Sequence, residues 1–151
     1  MYKKILLGVD NSDLSMKVVE KAIELYKRDN SEIVIFHSVI QKLGDLSPTF
    51  GQPVNPAVNI TYDLHHDRIK QAEKLLKDIE AKFEKENVPV ETRLELYIGP
   101  QYYIEKQVEE EDFDLVLLGC NGEHSKLRRT FLGTVPEHVL NNAKSDVLII
   151  K

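Results

Sequence analysis

A chain of 151 residues with a net charge of -5 is about one domain with a core of its own, and residues 1–151 are read as that single unit. The acidic balance, with no basic stripe, excludes nucleic acid as the partner, because such binding rests on neutralising phosphates along an extended surface. Cys120 is the only cysteine, so neither an intrachain disulfide nor a thiolate metal cluster can form, and a reducing, cytoplasmic location fits. The opening MYKKILLGVD holds an apolar run that stops at Asp10, too short for a signal-peptide core or a membrane span, so no membrane association is expected.

Ile5-Leu6-Leu7-Gly8-Val9 is continuously apolar between lysines and Asp10-Asn11-Ser12, the pattern of a strand buried on both faces. Leu14, Val18, Ala22 and Leu25 or Tyr26 then recur at helical spacing, with Asn11 or Ser12 as N-cap. After a turn over 28–31, a second buried strand starts at Ile33 and continues through His37, Ser38 and Val39. Strand, helix, strand is the unit of a parallel sheet with a right-handed crossover. From Gln41 to Ile60 the periodicity disappears among scattered glycines and prolines, which predicts a long functional loop. Thr61 or Asp63 opens a helix whose stripe is Ile69, Ala72, Leu76, Ile79 and Phe83, ending near Asn87. Val90 to Tyr97 alternates imperfectly, as an edge strand with one solvated side does. Gly99-Pro100 begins a short helix through Glu111, and Phe113 to Leu118 is the fourth strand. A last helix, Thr134 to Ala143, leads to the fifth strand, Asp146 to Ile150.

Between the fourth strand and the last helix, the apolar run stops at Gly119, and Gly122 and Gly133 follow before the helical pattern at Thr134. Glycines let backbone approach a ligand closely, and the free N–H groups of a helix start attract anions, so this stretch predicts a phosphate cradle. Lys126, Arg128 and Arg129 add positive charge there. Thr134-Val135-Pro136-Glu137 is also a capping box with Thr134 as N-cap, so Gly133-Thr134 alone could be no more than a helix start. Five strands alternating with four helices predict an α/β class fold, one doubly wound domain with a five-stranded parallel sheet. If the order is 3-2-1-4-5, the switch point lies between strands one and four, and Asp10 and Gly119 face each other across a crevice.

Several signals carry less. His65-His66-Asp67 offers ligand types, but adjacent residues on a helix diverge, so no metal site is expected there. His37 reads as a sheet-end residue rather than a base. No GxxxxGK[ST], GxSxG or HExxH motif is present.

With these stretches together, the chain resembles the universal stress protein family over essentially its whole length. The family's loop runs Gly, two residues, Gly, nine residues, then Gly with Ser or Thr. Gly119, Gly122, Gly133 and Thr134 match it, with ten residues, Glu123 to Leu132, in place of the nine. ILLGVDNSDLS resembles the family's first strand and turn, and IGPQYYIEKQVEEEDFDLVLLG its third helix and fourth strand. The resemblance implies a small ATP-binding protein that acts as a nucleotide-dependent regulatory module in a stress response. Asp10 would accept a hydrogen bond from the adenine, with Gly8 and Val9 lining the same side, and Ser38 or Val39 would touch base or ribose. Leu118, Gly119, Asn121 and Gly122 would meet ribose and phosphate, and Gly133, Thr134 and Val135 would close on the phosphates. A Mg²⁺ or Mn²⁺ ion could bridge those phosphates, although no acidic pair stands out for it. No catalytic residue is assigned, and ATP hydrolysis would at most be slow, since no general base stands near the phosphates. The resemblance further implies a homodimer through Val147 to Ile150, whose apolar edge invites pairing, and a protein partner of unknown identity. The alternative is a nucleotide-free interaction module of the same fold, which the lengthened loop favours.

Overall fold

The computed structural model describes residues 1–40, 56–120 and 134–151. In chain order the elements are β1 (Lys4–Gly8), α1 (Leu14–Asp29), β2 (Glu32–Val39), α2 (Pro56–Lys85), β3 (Glu91–Leu96), α3 (Pro100–Glu111), β4 (Leu115–Gly119), α4 (Thr134–Asn142) and β5 (Asp146–Ile150). All five strands pair in parallel in the order β3-β2-β1-β4-β5, the doubly wound topology expected from the sequence.

The continuous apolar runs are explained by the two faces they serve. Side chains alternate across a strand, so Ile5 and Leu7 of β1, Ile33 and Ile35 of β2, and Leu115 and Leu117 of β4 join one core cluster. That cluster is closed by Val18, Val19, Ala22 and Leu25 of α1 and by Leu76, Ile79 and Phe83 of α2. The intervening residues Leu6, Val34, Phe36, Val116 and Leu118 face the other way, against Tyr103, Ile104 and Val108 of α3 and Val139 of α4. A strand covered on both sides has no polar face to show, which is why alternation is missing from β1, β2 and β4.

Several boundaries differ from expectation. α2 starts at Pro56, ahead of the Thr61 or Asp63 read from the sequence, so the expected loop loses its last residues to a helix. Proline is well suited to the first helical turn, and the stripe that packs on the sheet, from Ala72 to Phe83, begins well after it. The remainder of that expected loop, 41–55, lies outside the described residues. Neither Asn11 nor Ser12 is the N-cap of α1; Asp13 is, without a side-chain capping bond. Asn30 ends that helix in the left-handed conformation at φ 55°, its N–H reaching the Tyr26 carbonyl at 2.7 Å. Thr134 is already helical, so the expected N-cap is instead the first residue of α4, a one-residue difference. Phe113 precedes β4 rather than opening it, buried at the sheet's lower end with the Lys4 ammonium 4.6 Å from its ring centre.

Candidate functional site

The carboxyl ends of β1 and β4 meet where the chain turns back to build the second half of the sheet, and a cleft opens there. Its volume of about 320 Å³ suits a small organic ligand. β1 delivers Gly8, Val9 and Asp10; β2 delivers Phe36, His37 and Ser38; β4 delivers Leu118, Gly119 and Cys120. The starts of three helices complete the walls, through Ser12 and Ser15 for α1, Pro100 for α3, and Thr134, Val135 and Pro136 for α4. Each helix start turns the positive end of its dipole toward the cleft, which favours a negatively charged ligand.

The floor depends on two close approaches. A Cβ on Gly8 would lie 2.6 Å from Leu118 Cδ2 and 3.3 Å from Phe36 Cε1, so only glycine lets those side chains meet beneath the cleft. Phe36 in turn packs against the Tyr103 ring, with centroids 4.7 Å apart. At Gly119 a Cβ would stand 3.2 Å from Leu14 Cβ, which is how closely α1 rests on the end of β4.

Asp10 is the one carboxylate among the described lining residues. Its Oδ1 accepts the Ser12 N–H at 2.9 Å, the Ser12 hydroxyl, and the Ser15 hydroxyl at 3.0 Å. The Asp10 N–H returns a bond to Ser15 Oγ at 2.8 Å. Burial pushes the carboxyl up, but the hydrogen bonds from Ser12 and Ser15, with the charge of nearby His37, outweigh it and hold Asp10 below the usual carboxylate value. The group is therefore ionised at neutral pH. His37 Nδ1 lies 2.7 Å from the Val9 carbonyl. A carbonyl can only accept, so Nδ1 carries the hydrogen and Nε2 of a neutral ring is an acceptor. The Ser38 hydroxyl donates to the Ile98 carbonyl and ties β2 to the segment before α3.

Of the residues expected at the site, Gly8, Val9, Asp10, Ser38, Leu118, Gly119, Thr134 and Val135 all line this cleft. Val39 is buried beside it, its carbonyl taken by the Tyr97 N–H at 3.2 Å, and is not part of the lining. Asn121, Gly122 and Gly133, with Lys126, Arg128 and Arg129, lie outside the described residues. Ser12, Ser15, Phe36, His37, Pro100, Cys120 and Pro136 join the lining without having been assigned to it. His37 could have been found from its position one residue before Ser38 at a strand end, whereas nothing in the sequence marks Pro100 as sharing a lining with Asp10. Among the described residues no three His, Cys, Asp or Glu side chains gather as a metal site, and no helix is long and apolar enough to cross a membrane.

The family model of the universal stress proteins matches residues 1–151. A universal stress protein of Methanocaldococcus jannaschii is 30% identical over 151 residues, covering 100% of this chain and 83% of the relative. Among solved structures, the universal stress protein UspA of Lactobacillus plantarum superposes with a TM-score of 0.77 at 20% identity, covering 99% of this chain and 98% of that one. A universal stress protein of Archaeoglobus fulgidus, solved in complex with dAMP, gives a TM-score of 0.64 at 20% identity, with 99% and 98% covered. A match that runs from the first residue to the last, on a fold shared with those structures, makes this chain a member of the universal stress protein family.

Proposed function

We propose that the protein binds an adenine nucleotide, ATP foremost, in the cleft between β1 and β4, and that occupancy changes how it meets a protein partner in a cytoplasmic stress response. The observation that carries this reading is convergence: Gly8, Val9, Asp10, Ser38, Leu118, Gly119, Thr134 and Val135 come from four separate stretches of sequence and line one cleft. The dAMP bound by the Archaeoglobus relative is of the same chemical class. In this reading Asp10 takes the base, Phe36 and Leu118 underlie it, Gly119 lets backbone approach the sugar, and Thr134 and Val135 offer the α4 N-terminus to phosphate. Asn121, Gly122 and Gly133 are proposed to complete the phosphate end. A Mg²⁺ or Mn²⁺ ion, if bound, would take most of its oxygens from the phosphates and water, since Asp10 is the one carboxylate in the described lining. Nothing in that lining is poised as a general base toward the phosphate end, so hydrolysis is expected to be slow. The protein is proposed to act as one nucleotide-binding unit that dimerises through β5.

The test is to denature freshly purified protein and identify any released nucleotide by chromatography and mass spectrometry. ATP or ADP near one per chain supports the reading. No release, followed by silence in calorimetric titration with ATP and Mg²⁺, overturns it in favour of a nucleotide-free interaction module.

A further inference from the structure

We propose that Ser12 and Ser15 are positioning residues that fasten one oxygen of the Asp10 carboxylate to the start of α1 and leave the other to the cleft, so that the site selects a base bearing an exocyclic amino group. This rests on the nucleotide reading above and adds to it the device that sets base preference.

The argument is a count of donors and acceptors at the base end of the cleft. Asp10 Oδ1 takes three hydrogens, from the Ser12 N–H, the Ser12 hydroxyl and the Ser15 hydroxyl. A carboxylate oxygen has about two lone-pair directions, so Oδ1 is saturated. Oδ2 has no hydrogen bond to any described residue. The Ser15 oxygen is itself held by the Asp10 N–H at 2.8 Å, and its side chain is buried. This closes a ring that fixes the rotation of the carboxylate. Beside it, the Nδ1 hydrogen of His37 is committed to the Val9 carbonyl, and the Ser38 hydroxyl to the Ile98 carbonyl. Every hydroxyl of Ser12, Ser15 and Ser38 is thus directed at the protein. What remains for a ligand is acceptor capacity, on Asp10 Oδ2 and, where the His37 ring carries only its Nδ1 hydrogen, on Nε2. A partner with two hydrogens on one nitrogen, as in the 6-amino group of adenine, satisfies such an edge. A purine without that group leaves a desolvated carboxylate oxygen unpaired.

The test compares ATP with purine riboside 5′-triphosphate, which lacks the 6-amino group, by calorimetric titration of the wild-type chain, Ser15→Ala and Ser12→Ala. The wild type is expected to prefer ATP by about tenfold, as for one hydrogen bond to a charged group. In Ser15→Ala that preference falls toward unity. Ser12→Ala, at a half-buried site where removal of a hydroxyl leaves the core untouched, loses preference in the same direction. A purely structural role would weaken both ligands equally, and an unchanged preference ratio in both variants overturns the proposal. Carboxyl-carbon NMR titration of Asp10 gives a readout without nucleotide: its midpoint is expected to rise in both serine variants, and an unmoved midpoint overturns the positioning role. If the wild type takes up neither nucleotide, the nucleotide reading fails, and the carboxyl titration alone decides whether the serines hold Asp10.

Discussion

Gly8 shapes the cleft by what it lacks. With Leu118 Cδ2 only 2.6 Å from where a Cβ would stand, Gly8→Ala must push the Leu118 side chain into a core that already holds Phe36. Overpacking of this kind costs about 1–3 kcal/mol, to be read as a lower urea midpoint with unchanged slope. Leu118 and Phe36 also underlie the cleft, so their displacement is expected to lower ligand uptake along with stability. Asp10 gives a second expectation at this scale, through pH. Its folded value lies below the ordinary carboxylate value of 3.8, because hydrogen bonds from Ser12 and Ser15 outweigh burial. A carboxyl held down in the folded state contributes stability that is complete above the unfolded value and is lost as pH falls through the folded one. The stability advantage of the wild type over Asp10→Asn is therefore full at pH 7 and shrinks as the pH drops below 3.8, measured by urea denaturation across that range.

Among the elements, α3 is pinned to the sheet by charge as well as by packing. Arg93 of β3 reaches Glu111 at 2.6 Å and Gln107 at 2.8 Å, and Lys4 of β1 reaches Glu111 at 2.9 Å. Hydrogen bonds from Arg93 and then Lys4 hold Glu111 at about 2 against a usual 4.5. Glu111→Gln removes the carboxylate that the two half-buried cations share, leaving Arg93 only its pair with Glu91 and Lys4 its longer one with Glu32, and is expected to cost about 1–3 kcal/mol at neutral pH. That difference disappears on acidification between 4.5 and about 2, since both chains then carry a neutral group. The same elements show why some of the architecture is legible in sequence. The middle residues of β1, β2 and β4 form continuous apolar runs because helices cover both faces, so their strand character needs no tertiary information. The start of α2 is not legible in that way, since the stripe by which a helix is recognised marks only the part that rests on the sheet. Site residues divide likewise. Asp10 and Gly119 stand out because a strand end followed by a polar or glycine residue is a local pattern. Ser12 and Ser15 look like ordinary residues of a helix entrance, and their bonds to Asp10 close only when the chain bends there.

At the scale of the whole molecule the sheet has two open edges, and their chemistry differs. β3 presents Glu91, Arg93 and Glu95, with Arg93 bonded to Glu91 at 2.6 Å, and charges along an edge discourage another strand from adding. β5 presents Val147, Leu148, Ile149 and Ile150, each partly buried against the two cores, and among the described residues no strand lies beyond it. An apolar edge of this kind is stabilised by pairing with an identical one, and a two-fold pairing closes so that no further chain can add. The expected state is thus a dimer of twice the 17.4 kDa chain, formed through β5 and not through β3. Ile150 stands opposite Gly119 in the β4–β5 register, and its carbonyl receives the Cys120 N–H at 2.9 Å. A dimer edge at β5 would lie one strand from the cleft, and pairing there is expected to steady the strand end that carries Gly119. Light scattering on a size-exclusion column across a dilution series checks the first expectation: a mass fixed at one chain at every concentration sinks it. Nucleotide titration at the two ends of the same series checks the second, with tighter uptake expected where the dimer predominates and equal uptake counting against any coupling between edge and cleft.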